Sequence, residues 1–115
     1  MHYLIIDNLL PADLLGQIRT LLASATFSDG KSTANGLAQA AKHNLQLPPE
    51  EHTALLDAIA QALYDRPELQ AFAMPWHVGR PLINRYEADM AYGLHSDSAY
   101  MGTLRTDLAY TLFLE

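Results

Sequence analysis

A change of periodicity at Met74-Pro75 divides this sequence into a helical first part and an extended second part. Before it, apolar residues recur at the three- and four-residue spacing of an amphipathic helix. After it, that spacing stops, and glycine, proline and aromatic residues become frequent. Pro11-Ala12-Asp13 predicts a helix start, because proline's fixed φ suits a first turn and a carboxylate suits the positive end of the helix dipole. Leu14, Leu15, Ile18, Leu21, Leu22 and Ala25 then form one apolar stripe, read as core. Pro48-Pro49-Glu50-Glu51 predicts a second start, followed by the stripe Leu55, Leu56, Ile59, Ala60, Leu63 and Tyr64. Arg66-Pro67 should end that helix, since the residue before a proline avoids the helical region, and Glu68 to Phe72 fits one more short helical turn.

Extended pieces frame these helices. Tyr3 to Ile6 reads as a first strand, broken by Asp7-Asn8, and residues 28–32 read as a turn. The segment Thr33 to Leu47 is compatible with helix through its alanines, yet 42–47 also alternates as a short strand. Three further extended pieces follow: Arg80 to Tyr86, Ala91 to Asp97, and Leu104 to Leu114. In the last, Leu108, Tyr110, Leu112 and Leu114 share one face, while Ala109, Thr111 and Phe113 share the other. Helices first and strands last predict an α+β fold with helices buttressing a sheet. With no internal repeat or linker, residues 1–115 are expected to form a single domain. An apolar strand running up to Phe113-Leu114-Glu115 would leave an open sheet edge. The expectation is that further chain follows, or that a second chain covers the edge, which makes a homo-oligomer through that strand a candidate partner arrangement.

Composition removes several function classes. The chain has 115 residues, half of them hydrophobic, enough for one packed core. It has no cysteine, so disulfides, thiolate metal sites and cysteine nucleophiles are excluded, and any metal must be held by His, Asp or Glu. Seven Lys and Arg against a net charge of −6, with no basic block, make nucleic acid a poor partner. There is no apolar run of about 18 residues and no basic-then-apolar leader, so no membrane partner is expected and the location is read as cytoplasmic.

The chemistry-bearing candidate is His95-Ser96-Asp97. On extended backbone, residues two apart point to the same side, so an imidazole and a carboxylate can converge on one cation. Two histidines and one carboxylate on one face of an octahedral iron(II) leave three positions for a chelating cosubstrate and oxygen. An H-x-D tripeptide alone is weak, because a surface loop with a local hydrogen bond has the same sequence. Its neighbours are more specific: Asn84-Arg85-Tyr86, then Tyr92-Gly93-Leu94-His95-Ser96-Asp97, then Arg105-Thr106-Asp107-Leu108-Ala109-Tyr110-Thr111-Leu112-Phe113-Leu114, preceded by Lys42-His43-Asn44-Leu45-Gln46.

Together these resemble the bacterial PKHD-type (prolyl/lysyl hydroxylase domain) oxygenases, and within them the group associated with iron uptake. That family shares the pattern N-R-Y, Y-G-x-H-x-D and R-T-D-L-(S/A)-x-T-L-F-L, with an earlier K-x-N-x-Q. The resemblance spans nearly the whole chain. It implies the N-terminal helices and first strands of a double-stranded β-helix (jelly roll), incomplete at the C-terminus. It also implies an Fe(II)- and 2-oxoglutarate-dependent dioxygenase, with L-ascorbate as a further cofactor. By the same resemblance His95 and Asp97 are the first two iron ligands. Tyr86 or Tyr92 binds or lines the 2-oxoglutarate site, with a packed aromatic as the alternative for each, and Thr111 is a weaker cosubstrate candidate. Arg85 and Arg105 read as structural ion-pair residues. Asn44 and Gln46 read as substrate contacts or, as the plainer alternative, as loop or capping hydrogen-bond groups. His2, His43, His52 and His77 are assigned to no metal, and His52 is expected to face water.

The sequence departs from the family after Glu115, where the acidic glycine turn, the third-ligand histidine and the basic group for the distal carboxylate would follow. A truncated hydroxylase is therefore one expectation. A non-catalytic, self-associating scaffold and a zinc- or manganese-binding protein using the same pair are the others. The substrate, small molecule or peptidyl side chain, is not specified by any residue.

Overall fold

The structure is a computed structural model describing residues 2–34, 36–93, 97–98 and 100–114. The chain divides into two compact units, one made of Met1–Phe27 and Leu47–Ile83, the other of Ser28–Gln46 and Asn84–Glu115. Its secondary structure is mixed helix and short antiparallel sheet, as the α+β expectation requires; the described residues close no barrel.

The first unit is helical. Helix α1 spans Ala12–Ser24, with Pro11 at its N-cap and Asp13 in its first turn. Pro49–Glu51 forms a single 3-10 turn rather than the first turn of the next helix, because α3 (Thr53–Tyr64) starts after His52, whose carbonyl accepts from the Leu56 N–H. Arg66, extended at ψ 122, separates α3 from α4 (Pro67–Ala73), so the proline ends one helix and opens another. Helix α4 stops at Met74, a left-handed C-cap with φ 44. The core consists of Leu10, Ile18, Leu47, Leu56, Ile59, Ala60, Leu63 and Ile83. Ile18, Leu47, Leu56 and Ile59 are each 1% exposed, and burial of such a side chain stabilises by about 1.5–3 kcal/mol. The α1 stripe is thinner than expected: Ile18 alone is fully buried, and Leu14, Leu15, Leu21 and Leu22 are half-covered.

The second unit carries the sheets. Strand β1 (Ser28–Asp29) runs into a 3-10 turn, Gly30–Thr33, where a simple turn was expected. The ambiguous segment is both things in succession: helix α2 (Gly36–Ala41), then strands β2 (Lys42–His43) and β3 (Leu45–Gln46). Strands β4 (Asn84–Arg85) and β5 (Ala91–Tyr92) return antiparallel to them, giving one sheet ordered β1-β3-β4 and a second of β2 with β5. Strands β6 (Tyr100–Met101) and β7 (Leu104–Arg105) make a hairpin whose two-residue loop starts with Gly102 at φ 62, the left-handed first position of a type II′ turn.

Two expected strands are corrected. Residues 3–6 form no ladder, and Tyr3 and Ile5 lie 75% and 72% exposed. Of Leu104 to Leu114, only Leu104–Arg105 is strand; Leu108 and Phe113 are exposed. An apolar alternating run becomes a strand only where a neighbour offers its backbone groups in register, and among the described residues 3–6 and 106–114 join no ladder. Among the described residues no helix is long and apolar enough to cross a membrane.

Candidate functional site

The site is built on residues 42–46. Their backbone is extended, so side chains alternate: His43 points to solvent while Lys42, Asn44 and Gln46 share the other face. Contrary to the usual fate of such residues, that polar face is the inner one. Lys42 is 3% exposed, Asn44 2% and Gln46 1%. The Lys42 Nζ donates to Gln46 Oε1 at 3.3 Å, and burial holds the amine below the ordinary lysine range, with nearby Asp29 opposing the shift.

The opposite strand explains what the polar face meets. Leu45 pairs with Arg85 and His43 with Ala91, so one residue, Asn44, faces a five-residue excursion, Tyr86 to Met90. That excursion turns through Asp89 at φ 68, with the Met90 N–H bonded to the Glu87 carbonyl. Having no ladder partner across the gap, the Asn44 side chain donates from Nδ2 to the Tyr86 hydroxyl oxygen at 2.9 Å. At the far end, Lys42 lies opposite Tyr92 in the ladder, and its Nζ stands 5.3 Å from the centre of the Tyr92 ring, within cation–π range. Tyr86 and Tyr92 thus flank the excursion, each contacted by a different member of the buried face.

A third segment closes the arrangement. The Gly30 N–H donates to the Asn44 carbonyl at 3.1 Å, and a Cβ on Gly30 would fall 1.7 Å from Asn44 Oδ1. Gly30 does not adopt a left-handed φ, so it serves close approach and not a special turn. The same Oδ1 is buried and has no hydrogen-bond partner.

The other sequence candidates are distributed as follows. His95 lies outside the described residues. Asp97 is exposed. Thr111 is exposed and outside any ladder, so its expected place on a strand is corrected. Arg105 pairs with Asp107 at 2.9 Å on the surface, the structural role expected of it. Asn44 and Gln46 are too buried to touch a substrate from solvent; they serve side-chain hydrogen bonds instead. His52 is half-buried at the N-cap of α3 rather than facing water. Among the described residues no three His, Asp or Glu side chains gather as a metal centre.

No family model matches the chain, and no solved structure matches it. Curated proteins do. A PKHD-type hydroxylase of Thermosynechococcus vestitus is 39% identical over 115 aligned residues, covering 95% of this chain and 51% of that protein. A PKHD-type hydroxylase of Pseudomonas putida W619 is 43% identical over 119, covering 95% and 52%, and one of Acinetobacter baylyi is 37% identical over 117, covering 95% and 52%. The chain is a homologue of the PKHD-type hydroxylases. It spans about half the length of the curated relatives it matches.

Against the PKHD-type hydroxylase pattern, the residues that sequence reasoning passed over are Lys42 and Gly30. Lys42 opens the K-x-N-x-Q pattern, and its two-residue spacing to Asn44 and Gln46 puts all three on one face. Gly30 looked like a turn glycine, and nothing local in the sequence distinguishes that from a glycine that makes room for a side chain 14 positions on. An imidazole and a carboxylate without thiolate, the side-chain types at 95 and 97, are of the kind that would suit iron(II) if they met at one ion.

Proposed function

We propose that this chain carries part of the active site of an Fe(II)- and 2-oxoglutarate-dependent hydroxylase, an oxidoreductase built on a double-stranded β-helix. Homology to PKHD-type hydroxylases over 95% of the chain supports the reaction class. The observation that carries the site is the flanking of one excursion by Tyr86 and Tyr92, both contacted by one buried polar face, three residues before His95.

In this reading His95 and Asp97 hold the iron, which supplies the oxidising chemistry when bound with 2-oxoglutarate and oxygen. Tyr86 and Tyr92, with Thr111 as the weaker contributor, bind the cosubstrate. The Tyr86 hydroxyl already accepts the Asn44 N–H, so its own proton is directed to another acceptor, such as an oxygen of a bound acid. The Tyr92 ring, half-buried under the Lys42 ammonium, forms wall more than donor. The substrate class is a small molecule or a peptidyl side chain, ascorbate serves as reductant, and the location is cytoplasmic.

The test is an anaerobic titration of the chain with iron(II) and 2-oxoglutarate, followed by the visible metal-to-ligand charge-transfer band. The band is expected in the unsubstituted chain and lost in His95→Ala and Asp97→Ala. Its absence from the unsubstituted chain at every iron concentration overturns the proposal in favour of a scaffold. A bound metal without a 2-oxoglutarate-dependent band favours a His–Asp metal site of another kind.

A further inference from the structure

We propose that Lys42, Asn44 and Gln46 are positioning residues: a buried polar rail that sets the Tyr86 hydroxyl and the Tyr92 ring in the orientation a ligand needs. The inference rests on the hydroxylase reading for the identity of that ligand, but the orientation itself is a property of this chain alone.

Three observations carry it. First, the rail is expensive. An amide or ammonium moved out of water is destabilising unless its bonds are replaced, and here three such groups occur within five residues, each at 3% exposure or less. The replacement is incomplete, since Asn44 Oδ1 has no partner. An apolar face would fill the same alternating positions without that penalty. Second, two of the three side chains contact the two tyrosines. Asn44 reaches Tyr86, and Lys42, braced by Gln46, reaches Tyr92. Third, the hydrogen-bond direction is informative. Asn44 Nδ2 can only donate, so it takes an acceptor lone pair of the Tyr86 oxygen and leaves the phenolic hydrogen pointing elsewhere. Tyr86 is 48% exposed, so the residue is open to solvent on the side away from Asn44. Gly30 supports the device: lacking a Cβ, it leaves the space that the Asn44 amide occupies.

A rail of purely structural value would plug the gap opposite the excursion and do nothing to the tyrosines. The experiment separates the two roles with tyrosine ring-labelled protein and NMR. The six tyrosines are few enough to assign by Tyr86→Phe and Tyr92→Phe. Asn44→Leu should move the Tyr86 signal and leave Tyr92 in place. Lys42→Met should do the reverse, and Lys42→Arg, which keeps a cation over the ring, should restore the Tyr92 signal. In parallel, the 2-oxoglutarate dissociation constant of the iron(II)-loaded chain should rise roughly tenfold in Asn44→Leu, the size expected for one lost hydrogen bond. Tyr86→Phe deletes only the oxygen and should give the same rise. Asn44→Leu placed on Tyr86→Phe should add nothing further, whereas a structural role predicts that the effects add.

Unchanged tyrosine signals in folded Asn44→Leu and Lys42→Met proteins overturn the proposal, as does an additive double variant. If the unsubstituted chain binds no 2-oxoglutarate, the hydroxylase reading fails separately, and the rail is then judged on the tyrosine signals alone.

Discussion

Gly30→Ala is the substitution with the clearest expected sign. At an unobstructed position with ordinary φ, this change stabilises by about 0.4–1 kcal/mol, because the unfolded chain loses freedom. Gly30 has an ordinary φ but is obstructed: the new Cβ would lie 1.7 Å from Asn44 Oδ1, 2.9 Å from its Cγ and 3.1 Å from Lys42 Cε. The lysine methylene can give way. The asparagine has little room to, being buried, bonded through its main-chain carbonyl to the Gly30 N–H and through its side-chain Nδ2 to Tyr86. Forcing a methyl into a packed site costs about 1–3 kcal/mol, and swinging the amide off Tyr86 adds an unpaired buried donor of similar size, so a net loss of about 2–4 kcal/mol is expected. With a urea slope of about 1.5 kcal/mol per molar, the unfolding midpoint should fall by roughly 1.3–2.7 M, at constant slope, in circular dichroism. In an Asn44→Ala background the obstruction is gone, and the same change should be close to neutral. A neutral or stabilising Gly30→Ala, or an equal loss in both backgrounds, refutes the claimed contact.

Three more outcomes are expected. Ile59→Ala, in the core of the helical unit, should lower stability by about 2–5 kcal/mol in the same assay, and a loss under 1 kcal/mol would show the site is not packed. Lys42 binds its proton less tightly when folded than when unfolded, so the folded state gains stability as pH rises toward the ordinary lysine value of 10.5. Urea midpoints measured from neutrality to 10.5 should therefore rise for the unsubstituted chain relative to Lys42→Met, and a flat difference would contradict the burial. Asp57 is held below the usual carboxylate range by its hydrogen bond from Arg80, with desolvation opposing and the Arg80 charge adding to the shift. Its small contribution should be present above that range, be lost as pH falls from it through the lower folded value, and disappear in high salt or in Asp57→Asn when midpoints are compared across the acid range.

What the sequence revealed follows how local each cause is. Pro11, Pro49 and Pro67 act through their own φ and their immediate neighbours, and the helices they punctuate lie within a few residues of the expected bounds. Only the second start was displaced, because Pro49–Glu51 wound a tight turn of its own. Strands need a distant partner. Residues 3–6 and 106–114 have strand-like composition and no ladder, whereas 42–46 found partners on three other strands. The site divides the same way. Tyr86 and Tyr92 stand out by motif, and the alternation of Lys42, Asn44 and Gln46 predicts a shared face. Which way the face points was not legible, since polar residues face water by default and only the packing of Gly30 and the excursion reverses that. His95, on which the metal assignment turns, falls outside the described residues.

The inward polar face also acts as a key against misregistration. A strand that slides by one residue turns each side chain over, and at 42–46 that would bring His43 and Leu45 inside and drive a lysine, an asparagine and a glutamine out. Leucine and valine can trade places across a slipped interface with modest loss, but hydrogen-bonding groups with fixed directions cannot. Two-residue strands offer few backbone bonds to hold alignment, so their side chains must supply it. Single-residue insertions or deletions in this stretch should therefore be far less tolerated than in the loop Tyr86 to Met90 opposite, which is already out of step with its neighbour.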